Sequence, residues 1–159
     1  MAEIATFRVY PGLGNFEHST GRRGLYFIVR CYATFKEMRK VAAEDGASPA
    51  SFFRRGQGVC QKWRWHRIPN VKMRTRWRQK ECGQILLCRK RLGASIVSHE
   101  CTHAAVYWLG EITQQSDPDY VRVQCNKRSE ELLAYAVGEM TRQVYNGLEE
   151  SGVLTLGRA

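Results

Sequence analysis

The sequence predicts an α+β domain: a small mixed or antiparallel sheet packed against two long helices. Three observations predict it. Short runs rich in branched and aromatic residues fill the N-terminal part, as strands do. Two long stretches with apolar residues at helical spacing fill the C-terminal part. The chain has 159 residues, 43% of them hydrophobic and 25% charged, which suits a single domain over 1–159 with a core of its own. Within it, 1–92 holds mainly strands and one helix, and 93–147 is the helical part.

A strand over 6–10 is followed by a loop rich in Gly with one Pro. Leu25 to Tyr32 (LYFIVRCY) reads as a buried strand. The next segment, TFKEMRKVAAE, places Phe35, Met38, Val41 and Ala42 at helical spacing, and Gly46 supplies a stop. ASPASFFRRGQG reads as a loop. VKMRTRWRQK alternates, with Val71, Met73, Thr75 and Trp77 on one face and Lys72, Arg74, Arg76, Arg78 and Lys80 on the other. Period two with a wholly basic outer face predicts a strand facing solvent, at a sheet edge. A further strand covers 84–90. A first long helix covers 93–109. A second opens at Ser129 as N-cap and ends near Asn146, with Gly147 at the C′ position. Between them a polar connection contains one short strand at 120–124.

Composition excludes several classes. No run of eighteen apolar residues exists, and the N-terminus lacks the basic start and apolar stretch of a secretory signal, so a cytoplasmic protein with no membrane partner is expected. Six cysteines without C-x-x-C spacing predict reduced thiols, with neither a zinc ribbon nor a dithiol redox site. The net charge of +10 is unevenly spread. Arg54 to Arg91 holds thirteen basic residues against a single acid, Glu81, whereas His99 onward holds five basic residues and nine acids. Such asymmetry favours a polyanionic or acidic partner. Arg64, Lys72, Arg74, Arg76, Arg78 and Lys80, with tryptophans among them, are the candidate residues for binding nucleic acid or an acidic protein. The plainer alternative is a solvated strand with its aromatics turned to the core.

The chemistry centres on His99-Glu100-Cys101-Thr102-His103, an H-E-x-x-H motif. Residues four apart stack on one helix face, so both imidazoles reach one Zn²⁺ ion. Glu100, next in the chain to His99, is rotated about 100° around the axis. It lies beside the ion, where a carboxylate takes a proton from a metal-bound water. Nothing from Gly93 to Gly110 is charged except Glu100. An uncharged helix with two histidines and one carboxylate is costly to bury unless those groups have work to do. Catalytic zinc takes a third protein ligand. No histidine follows His103, so downstream candidates are acids, Glu130 or Glu131 among them, or Cys125.

His99–His103 followed by Glu131-Leu132-Leu133-Ala134 resembles the gluzincin peptidases, where E-x-x-A on a second helix supplies the third ligand. In scale and layout the segment from Gly93 to Tyr145 is similar to the ImmA/IrrE-type peptidases, although Tyr135 stands where those usually carry Asn. The resemblance implies a zinc-dependent peptidase acting on a specific intracellular protein. Glu100 would be the base, Glu131 the third ligand with Glu130 as alternative, and Ala134 the small residue that lets two helices pack closely. Peptidases of the SprT type use a third histidine, which is not available downstream here. An oxyanion stabiliser is also expected, with Tyr135, Tyr107, Tyr120 and Arg122 as candidates. Cys101 lies on the helix face away from both histidines and reads as a packing residue. The alternative function is a nucleic-acid- or protein-binding regulatory module with little or no proteolysis.

Overall fold

The computed structural model describes residues 3–12, 24–45, 58–62, 80–112 and 127–154. Strand β1 (Glu3–Val9) leads into β2 (Tyr26–Tyr32), helix α1 (Phe35–Glu44), β3 (Gly58–Lys62) and β4 (Glu81–Cys88). A single 3₁₀ turn, Arg89–Arg91, then precedes helix α2 (Ala94–Ile112) and helix α3 (Lys127–Glu150). The sheet is mixed, in the order β1-β2-β4-β3. β1 is antiparallel to β2, β2 parallel to β4, and β3 antiparallel to β4. The expected α+β class is therefore observed.

α1 forms where the spacing predicts. Thr34 caps it by accepting from the Glu37 amide at 3.4 Å, and the Glu37 carboxylate accepts from the Thr34 amide at 3.2 Å. These reciprocal bonds satisfy two donors that a helix start leaves open. Met38, Val41 and Ala42 pack with Tyr32, Leu86 and Cys88 on one face of the sheet. On the other face α2 and α3 cover Val9, Phe27, Val29, Ile85 and Leu87. β4 thus lies between two apolar layers, and every residue from Cys82 to Cys88 is buried.

Several expected boundaries move. The last strand starts at Glu81, three residues before the expected 84, because Glu81 and Gly83 pair with β2 and Gly83 also with β3. The basic Arg89, Lys90 and Arg91 leave the sheet and are exposed in the 3₁₀ turn. β3 occupies a segment for which no strand is expected. The basic strand over 71–79 lies outside the described residues, as do Arg64, Cys125 and the 120–124 strand with Tyr120 and Arg122. Of the basic run only Lys80 is described: it is exposed, and its carbonyl accepts from the Tyr26 amide at 2.8 Å. The five described cysteines are free thiols. No described helix is long and apolar enough to cross a membrane.

α3 corrects two expectations. It begins at Lys127, which puts Ser129 inside the first turn, and it continues past Asn146 to Glu150. The stop is Gly152, with φ +67°. The Val153 amide donates to the Leu148 carbonyl and the Gly152 amide to the Glu149 carbonyl, both at 2.9 Å. These are the paired bonds of a Schellman ending, sealed by buried Val153 and Leu148. Gly147 instead sits inside the helix, where a Cβ would lie 2.5 Å from the Phe7 ring of β1. Gly147→Ala is therefore expected to destabilise by about 1–3 kcal/mol despite the better helix propensity of alanine. Urea unfolding of the single variant and of its combination with Phe7→Leu checks this; a more stable single variant would show that the ring yields freely.

The second correction concerns Ala134. The face of α3 that enters the core is Ala136, Met140, Val144 and Leu148, one residue per turn. Ala134 is exposed, two residues off that row, so it is not the small residue at the helix contact. On α3 that role falls to Ala136. On α2 the small buried residues are Cys101, Ala104, Ala105 and Gly110.

Candidate metal centre

α2 divides its faces by residue type. Val97, Cys101, Ala104, Ala105, Trp108, Leu109 and Ile112 are buried against the sheet and α3, as expected for Cys101. His99 and His103 stand on the exposed side. Their Nε2 atoms lie 3.2 Å apart, and the rings meet edge to face at 82°. Tetrahedral zinc with bonds of about 2.05 Å to nitrogen separates two ligand nitrogens by about 3.3 Å. The separation matches that of two ligand nitrogens on one ion, and it is also a hydrogen-bonding distance between the two rings. Partial desolvation, then the neighbouring His99, holds His103 below the usual imidazole range. That direction favours the neutral ring, which offers a lone pair to a metal.

Glu100 turns the other way from the helix surface. It is 5% exposed, and its carboxylate accepts from the Cys60 amide of β3. Burial pushes the carboxyl above its usual range, while nearby His99 and the Cys60 bond pull it back. The carboxylate thus occupies a slot between α2 and an edge strand of the described sheet. β4, the described strand nearest before α2 in sequence, is interior, with β2 on one side and β3 on the other. An extended peptide cannot add there, so among the described strands beside α2 only β3 offers an edge.

The row of α2 through His99 and His103 continues one turn at a time to Tyr107 and Glu111. The Tyr107 ring centre is 6.4 Å from that of His103. Lys62, the last residue of β3, places its Nζ 6.0 Å from the Tyr107 ring centre and 3.1 Å from Glu111 Oε1. This ion pair, with the two side chains 12% and 22% exposed, ties the end of β3 to the end of α2.

The third expected ligand is placed less favourably. Glu131 is exposed on α3, about 140° around the helix from the buried row that starts at Ala136. Glu130 is exposed as well. Among the described residues no group of three or more His, Cys, Asp or Glu side chains is gathered that could hold a metal ion. Tyr135 is 60% exposed on α3, whereas Tyr107 stands beside His103.

No family model, curated protein or solved structure matches the chain. The case for a site rests on the residues themselves. Three of those now seen around it, Gly58, Cys60 and Lys62, belong to β3 and carry no motif. The only signal in the sequence is Val59, a single strand-forming residue after Gly58.

Proposed function

We propose that the chain is a zinc-dependent peptidase acting on a specific protein substrate, with His99 and His103 holding the metal. The supporting observation is the 3.2 Å separation of two imidazole nitrogens on one exposed helix face, beside a buried carboxylate. Zinc, when bound, would polarise the scissile carbonyl and acidify a water. Glu131 is the proposed third ligand on the gluzincin resemblance, with Glu130 as the alternative. The Glu100 carboxylate takes the proton of the attacking water and delivers it to the departing amine nitrogen. The Cys60 amide holds that carboxylate in one orientation throughout. Tyr107, one turn beyond His103, is better placed than Tyr135, the other described candidate, to donate to the developing oxyanion.

Elemental analysis of purified protein tests the reading. The wild type is expected to carry about one zinc per chain, with His103→Ala and Glu131→Ala falling to background and Glu130→Ala unchanged. Loss in Glu130→Ala alone would transfer the third ligand to Glu130. A wild type that holds no zinc after reconstitution would end the peptidase proposal.

A further inference from the structure

The exposed and buried faces of α2 leave one polar group with an unusual seat. Glu100 passes over β3 at Gly58. A Cβ on Gly58 would lie 2.8 Å from Glu100 Cγ, 3.0 Å from Glu100 Oε1 and 3.1 Å from Ile96 Cγ2. The first two contacts are with the side chain that carries the carboxylate itself. One residue pair further along the strand, the Cys60 amide donates to that carboxylate. Beyond it, Lys62 is bound to Glu111 of α2. Residues 58, 60 and 62 share one face of the strand, as period two requires.

We infer that β3 is the positioning element for Glu100, with Gly58 as the positioning residue that leaves room for its side chain and the Cys60 amide as the hook that orients it. This rests on the peptidase reading for its catalytic meaning but not for its structural content. Any side chain at 58 would push Glu100 out of the slot, and the carboxylate would lose its bond to Cys60. The two imidazoles, on the exposed face of α2, would be untouched. Metal binding and base positioning are thereby assigned to different elements: α2 holds the first, β3 the second.

The test uses a double-mutant cycle and a kinetic readout. In urea unfolding, Gly58→Ala is expected to lower the folding constant about tenfold in the wild-type background and much less when Glu100 is also alanine. Equal losses in both backgrounds would overturn the inference, since Ile96 or the strand itself would then explain the cost. Gly58→Ala is expected to retain its zinc and its KM while kcat falls tenfold or more. The shorter Glu100→Asp, added to Gly58→Ala, is expected to recover part of kcat, although Glu100→Asp alone is impaired. A Gly58→Ala protein with unchanged kcat would overturn the positioning role. A wild type without zinc would sink the peptidase proposal separately, and the unfolding cycle would still decide whether β3 holds Glu100.

Discussion

Glu100→Gln is expected to keep its zinc and its fold while losing about 10²–10⁴-fold in turnover. The amide has the shape of the carboxylate, and its oxygen can still accept from the Cys60 N–H, so the slot between α2 and β3 stays filled. What it cannot do is take a proton. The measurement pairs elemental analysis with turnover of whichever peptide wild-type protein cleaves most readily from a mixed pool. A variant that holds zinc and cleaves at the wild-type rate would remove Glu100 from the chemistry. A variant without zinc would show instead that the carboxylate supports the metal directly.

Trp108→Ala should cause the largest loss of stability, about 3–5 kcal/mol. Trp108 is fully buried in the cluster that joins α2, α3 and the sheet. Its neighbours cannot collapse into the space of an indole without moving a helix. For a chain of this size the loss corresponds to a drop in Tm of roughly 6–20 °C, measurable by calorimetry. The side chain is one residue past Tyr107, so it faces inward while the proposed site faces outward. Trp108→Phe, which keeps most of the volume, should therefore recover most of the stability. A Trp108→Ala protein as stable as wild type would mean that α2 is not anchored through this residue.

What could be read from the sequence was what depends on near neighbours in the chain. The pairing of His99 with His103 follows from four residues of helix. The core face of α1 follows from Phe35, Met38, Val41 and Ala42, and Thr34 with Glu37 caps it. The rest depends on contacts between distant segments. Gly147 has the look of a helix stop, and only the Phe7 ring, brought from the far end of the chain, explains its lack of a side chain. Ala134 fits the spacing of E-x-x-A, yet spacing says nothing of which side of α3 meets the core. Ala136, Met140, Val144 and Leu148 decide that. β3 is five residues long and opens with glycine, too short for an alternation to show. Its partner β4 supplies the reason it is a strand, and the start of β4 is itself hidden by Glu81 and Gly83, residue types depleted in strands.

The place of β3 in the sheet has a consequence for timing. Among the described strands it pairs with β4 alone, and its loss would leave β1, β2 and β4 joined. Strands held on one side open more often than those held on both. A carboxylate hooked to such a strand shares its breathing: each time Gly58–Lys62 lifts away, the hook on Glu100 lets go while the imidazoles on α2 stay in place. Competence for proton transfer would then be intermittent, set by the local opening rate at the sheet margin and not by the stability of the whole domain. A peptide lying along that margin would slow the opening, so occupancy by substrate would itself keep the base aligned.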